Sequence, residues 1–149
     1  MTDVDNPADP QHRNHLIPTN GLRAEKLEEP KLPVHVEDHL LGLLEKHLNE
    51  KCGFITNTYE VVEVQNSHGY PISNFYMDDD DVRDSVDYIY NETQQQIIGI
   101  WHTHPNGYPW PSPRDIAGWP NLALGWRYFL VSKGEITEWK LVRQDGDEP

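Results

Sequence analysis

The chain has 149 residues, room for one domain rather than two. Twelve Lys and Arg stand against 25 Asp and Glu, and the formal charge of -13 argues against binding nucleic acid through its phosphates, which needs a basic surface to displace counterions. A single cysteine, Cys52, excludes an intrachain disulfide and a cysteine-built zinc cluster, so any metal must be held by histidine and carboxylate.

Residues 1–33 carry five prolines (Pro7, Pro10, Pro18, Pro30 and Pro33), little hydrophobic periodicity and short charged stretches, and read as a poorly ordered arm. They contain no apolar core of a signal peptide, and nowhere does the chain approach the run of about eighteen apolar residues that a membrane helix needs, so no membrane association and a cytoplasmic location are expected. A domain over 34–143 follows, and 144–149 form an acidic tail. In the domain, Val36, Leu40, Leu43, Leu44 and Leu48 lie on one stripe at helical spacing and predict an amphipathic helix ending near Leu48 to Glu50. Cys52 to Ile55 and Tyr59 to Val64 read as a hairpin turning at Asn57 and Thr58. A loop with Gly69 and Pro71 leads to a short apolar run at Phe75 to Met77.

The aspartates Asp78 to Asp81 lack the alternating ligands, central glycine and terminal glutamate of a calcium loop, and fit the start of a helix whose dipole favours carboxylates. Val82, Val86, Ile89 and Tyr90 supply its apolar stripe. Ile97 to His104 predicts a strand on which Ile98, Ile100, His102 and His104 share one face, because side chains alternate with period two. A loop from Pro105 to Pro111 precedes a short helix from Ser112 to Trp119, stopped by Pro120. Trp126 to Ser132 and Glu135 to Val142 form a second hairpin, turning at Lys133 and Gly134.

The chemistry gathers at the end of the Ile97 strand. His102 and His104 project the same way and can reach one ion, and the reversing loop brings Asp115 beside them as a third ligand. Two histidines and an aspartate with an open fourth position make a zinc hydrolase arrangement, in which the metal lowers the pKa of its water toward about 7. Each part also has a structural reading: Ser112-Pro113-Arg114-Asp115 is a good helix start without any catalysis, and strand-end histidines are often simply solvated. Cys52 reads as a small buried core residue, and Trp101, on the opposite strand face from the histidines, as packing. His35 and His39 are four apart on a helix, as in H-E-x-x-H zincins, but Val36 and Asp38 occupy the places where either orientation of that motif needs glutamate. A PHP-type phosphoesterase needs more His and Asp ligands than the chain has. The HxHxD of metallo-β-lactamases fails at Asn106.

His102-Thr103-His104, seven intervening residues, Ser112, two more and Asp115 form the full H-x-H-x7-S-x2-D signature, and the chain thereby resembles the JAMM (MPN+) zinc metallopeptidases. Glu50-Lys51-Cys52-Gly53 matches the family's other mark, a glutamate shortly before a Cys-Gly that opens the first core strand. The resemblance spans Val36 to Val142. It implies a single α/β domain with a mixed, curved sheet flanked by helices. His102, His104 and Asp115 would bind Zn2+, Glu50 would hydrogen-bond the zinc-bound water as general base, yielding the attacking hydroxide, and later protonate the leaving amine, and Ser112 would help hold the oxyanion. The implied reaction is hydrolysis of a peptide or isopeptide bond, often at the C-terminus of a ubiquitin-like protein.

With about 110 residues in the domain, the insertions by which ubiquitin-chain enzymes of this family grip a second ubiquitin are not expected. A compact prokaryotic or phage-type member is therefore implied. Two alternatives stand beside the ubiquitin-like substrate: a peptidase acting in phage tail assembly, and a non-catalytic MPN scaffold. The intact motif weighs against the scaffold.

Overall fold

The computed structural model describes residues 21–28, 30–69, 75–117 and 125–143. Six strands form one mixed, open sheet: β1 (Leu22–Lys26), β2 (Cys52–Thr56), β3 (Val61–Val64), β4 (Ile97–Thr103), β5 (Arg127–Ser132) and β6 (Glu135–Arg143), in the order β1-β6-β5-β4-β2-β3. Every neighbouring pair is antiparallel except β4 and β5, which run parallel from Gly99↔Arg127 to Thr103↔Val131. Helix α1 (Val34–Lys46) covers one face, and α2 (Asp79–Asp87), extended by one π-helical turn at Tyr88–Glu92, covers the other. A short α3 (Pro113–Ala117) lies within the β4–β5 connection. This is the mixed α/β sheet flanked by helices that the sequence predicts.

Each face has its own apolar core. Val36 and Leu40 of α1 pack with Ile55, Trp101, Phe129 and Val131, and Leu43 and Leu44 extend this layer. On the opposite face Phe54, Val64, Ile100 and Tyr128 pack with Ile89, and Val82 and Val86 of α2 join them. Asp78 caps α2 by accepting from the backbone N–H of Asp80 at 3.1 Å, so the aspartate run starts a helix as expected. The last hairpin turns through Lys133 (φ 49°) and Gly134 (φ 74°), two successive left-handed residues whose twist suits a two-residue connection.

The structure corrects the sequence reading at several points. Residues Leu22–Lys26, placed in a poorly ordered arm, form edge strand β1 on β6, from Leu22↔Arg143 to Lys26↔Trp139. An edge strand draws its order from one backbone ladder, and this one offers only Leu22 and Ala24 as apolar residues beside Arg23, Glu25 and Lys26, too little to announce it. Residues 1–20, the 144–149 tail and the Trp119–Pro120 helix stop lie outside the described residues. Helix α1 ends at Lys46 instead of near Leu48 to Glu50: His47 turns to extended backbone and Leu48 stands 81% exposed, off the buried stripe. Tyr59, expected in a strand, takes φ 62° in the turn before β3.

Ile98 does not share the face of Ile100, His102 and His104. The β2–β4 ladder shifts between Ile55↔Gly99 and Thr56↔Ile97, leaving Ile98 as an extra residue. Such a bulge reverses the alternation on its far side, so Ile97 joins Ile100 while Ile98 packs toward α1.

At Gly53 the β3 backbone lies tight against β2: a Cβ there would stand 2.0 Å from the Val62 carbonyl oxygen. Gly42, inside α1, has open space around it. Gly53→Ala is therefore expected to destabilise the domain by about 1–3 kcal/mol, whereas Gly42→Ala should stabilise it by about 0.5–1 kcal/mol. Denaturant unfolding of the two variants measures both signs.

Candidate metal centre

The site forms where β4 ends. Because β4 and β5 are parallel, the chain must cross from the end of one strand to the start of the other, and this connection passes α3 over the β4 terminus. His102 and His104 point to the α2 face of the sheet. Asp115 comes to them from α3, held by a reciprocal cap: Ser112 N–H donates to Asp115 Oδ2 at 2.8 Å, and Asp115 N–H donates to Ser112 Oγ at 3.1 Å. Glu50 arrives from the opposite side, on the segment between α1 and β2. The backbone next to it is tied to β4, since Lys51 N–H donates to Thr103 Oγ1 and Thr103 N–H to the Lys51 carbonyl, both at 2.9 Å.

The sequence-predicted residues thus come together. His102 Nε2, His104 Nε2 and Asp115 Oδ2 form a triangle with sides of 3.0, 3.1 and 3.2 Å. Glu50 Oε2 lies 4.0 Å from His104 Nε2. All four residues are buried, and their donor atoms fall within 4.8 Å of one another. Three ligands held at about 2.0–2.1 Å by one tetrahedral ion stand about 3.3–3.4 Å apart, so the triangle needs little adjustment to receive one.

Hydrogen bonding gives a second test of fit. His104 Nδ1 lies 2.9 Å from the Tyr108 carbonyl, which can only accept, so Nδ1 carries a hydrogen. In the neutral ring Nε2 is then a lone pair facing the oxygen of a carboxylate. Two acceptors at 3.2 Å in a buried pocket repel unless a cation, proton or metal, lies between them. Without metal, burial works against protonation of His104, but the hydrogen bond and charge of Asp115 outweigh it and raise the ring above its ordinary value. For His102 burial dominates and the shift is downward. Burial also opposes the charge on Asp115, yet the two imidazoles hold its carboxyl far below the usual range. Glu50 is the opposite case. Burial, opposed by His104 and aided by Asp115, pushes its carboxyl up to about 8, and among the described residues its Oε1 has no hydrogen-bond partner.

Three neighbours were not legible in the sequence. The Phe75 ring stacks on His102 with centroids 4.4 Å apart and planes 26° apart. Tyr108 sets the His104 tautomer through its carbonyl, which any residue provides, and Thr103 anchors Lys51. Cys52, paired with His102 across the β2–β4 ladder, is a buried core thiol as expected; burial pushes it up to about 12, which makes it a poor nucleophile. Trp101 is fully buried against α1, also as expected. His35 and His39 lie on the exposed side of α1, and His35 Nε2 approaches the Tyr59 carbonyl at 3.0 Å. Among the described residues they join no cluster of metal-binding groups.

The family profile described as prokaryotic homologs of the JAB domain matches residues 33–142. The chain belongs to the prokaryotic JAB domain family. This bears out the resemblance to JAMM proteins and its prokaryotic form. The JAB domain is also similar to the solution structure of protein DSY2949 from Desulfitobacterium hafniense, with a TM-score of 0.59 at 22% identity, covering 79% of this chain and 88% of that one. That likeness shows a shared fold. No curated protein sequence matches the chain. No helix among the described residues is long and apolar enough to cross a membrane.

A divalent transition-metal ion added to chelator-treated protein is expected to bind one per chain and raise Tm; at 100-fold excess over Kd the gain is about 2.7 kcal/mol. His104→Ala and Asp115→Ala should abolish that shift in a thermal melt, and His39→Ala should leave it intact.

Proposed function

We propose that this JAB domain is a zinc-dependent hydrolase of amide bonds, acting on a peptide or on the C-terminal bond of a ubiquitin-like protein. The observation that carries the reading is the position of Glu50: a buried carboxylate with one oxygen unpartnered among the described residues, beside but outside the triangle of His102, His104 and Asp115. A carboxylate recruited only for structure would be expected to find a hydrogen-bond donor. The two imidazoles and the carboxylate suit zinc better than the oxygen-preferring magnesium or calcium. Bound there, zinc would supply Lewis acidity and a water acidic enough to ionise near neutral pH.

The chain's own groups fill the remaining roles. Glu50 accepts the proton of the attacking water and passes it to the leaving amine; a carboxyl raised toward neutrality is matched to both transfers. Ser112 uses one lone pair of its hydroxyl for the Asp115 N–H, which leaves its O–H to donate to the developing oxyanion. Asp115 is held by the Ser112 cap and His104 by the Tyr108 carbonyl, which orients these two groups in advance. For the substrate, the sheet ends at β3, and its Val64 lies opposite Cys52, two residues from Glu50. An extended polypeptide tail adding to this edge would run toward the centre. The family's compact form and the small size of the domain support a prokaryotic ubiquitin-like pathway over a eukaryotic chain-editing one. Processing in phage tail assembly is the alternative setting for the same chemistry.

Glu50→Gln is expected to retain metal while losing hydrolysis of a ubiquitin-like fusion. Ser112→Ala should slow turnover by about 10²–10³-fold, again with metal bound, and lose about 1 kcal/mol of stability through the cap. Steady-state kinetics with metal analysis checks both. A metal-loaded wild type inert toward linear and isopeptide fusions would replace the hydrolase by a scaffold.

A further inference from the structure

Glu50 is held in an unusual way. Its carboxylate must stay beside His104, yet among the described residues Oε1 has no partner and Oε2 is no closer than 4.0 Å to a basic nitrogen. The residue belongs to no helix or strand, lying between the end of α1 at Lys46 and the start of β2 at Cys52. Its placement therefore depends on its backbone. Lys51 is tied to Thr103, as described, and the Glu50 carbonyl has a bond of its own, accepting from Asn66 Nδ2 at 2.8 Å.

The same Asn66 amide works at both ends. Its Oδ1 accepts from the backbone N–H of His68 and from that of Tyr76, each at 3.0 Å. Ser67 N–H donates to the Tyr76 carbonyl at 2.8 Å and closes the base of the same loop. Next to Tyr76 is Phe75, whose ring stacks on His102. One side chain after β3 thus joins the backbone of Glu50 to the segment that packs on a metal-site histidine. A cavity of about 390 Å³ lined by Asn49, Glu50, Lys51, Glu63, Gln65 and Asn66 adjoins this link. Without the link, the 49–51 segment has space to move into.

We propose that Asn66 is a positioning residue for catalysis: its amide nitrogen fixes Glu50 and its amide oxygen fixes the Phe75–Tyr76 segment against His102. This rests on the reading of Glu50 as the proton acceptor. Asparagine suits the task because one short planar group offers a donor and an acceptor back to back. Aspartate keeps the acceptor for Tyr76 but turns a carboxylate oxygen toward the Glu50 carbonyl.

The test compares Asn66→Ala and Asn66→Asp in the full-length, zinc-loaded protein, with Gln65→Ala as the neighbouring control. Both Asn66 variants are expected to lose about ten- to a hundredfold in kcat, with KM and zinc affinity by chelator competition within about twofold of wild type. Amide hydrogen exchange at Lys51 should quicken in both, while exchange at Tyr76 should quicken in Asn66→Ala and stay slow in Asn66→Asp. A purely structural role would lower Tm and leave kcat unchanged below the melting range. Wild-type kcat in both variants, or unchanged exchange at Lys51, overturns the proposal. If the wild type hydrolyses nothing, the hydrolase reading falls, and exchange at Lys51 alone decides whether Asn66 holds Glu50.

Discussion

Three electron-rich atoms, two imidazole nitrogens and a carboxylate oxygen, meet within 3.2 Å in a pocket from which water is largely excluded. Such an arrangement is unfavourable unless a proton or a metal ion lies between these atoms. Much of the surrounding structure serves to hold it: the Ser112 cap on Asp115, the Tyr108 carbonyl on His104, and the Phe75 ring on His102. Binding energy from the ion would offset what the apoprotein spends on keeping these groups together. The same burial that opposes bare charge in the triangle also raises Glu50, so on the proposed reading one desolvated pocket would serve both the ion and the proton acceptor.

Topology explains why the site forms at this point. The single parallel pair, β4 beside β5, requires a long connection across the β4 terminus, and Asp115 rides on it. The antiparallel pair β2–β4 brings the segment before β2 to the same end of the sheet, since Cys52 pairs with His102. Glu50 therefore reaches the histidines from across the sheet although about fifty residues separate them. Gly53 lets β3 close on β2 just beyond. The Glu-x-Cys-Gly and H-x-H stretches thus face each other across one ladder, which gives their pairing in the sequence a geometric reason.

The site was more legible in the sequence than its supports. Zinc chemistry admits few residue types, and period-two alternation put His102 and His104 on one side without further information. The helix stripe of α1 and the Lys133-Gly134 turn were readable for similar reasons, because burial and left-handed backbone leave strong local marks. Edge strand β1 was hidden because backbone pairing orders it and Leu22 and Ala24 are its only apolar side chains. Ile98 was misplaced because a bulge depends on the partner strand, which local periodicity does not encode. Asn66 gave no signal at all, for an asparagine near a glycine is ordinary loop composition until its two ends are seen to meet Glu50 and Tyr76.

The central claim is that His102, His104 and Asp115 ligate one zinc ion while Glu50 stays outside its coordination shell. Zinc K-edge absorption spectroscopy of the stoichiometrically loaded protein tests it most directly. The account predicts two imidazole nitrogens with light-atom oxygen ligands at about 2.0–2.1 Å and no sulfur, and the same spectrum for Glu50→Gln. A sulfur ligand from Cys52, or a coordination shell with fewer than two imidazoles, would contradict it.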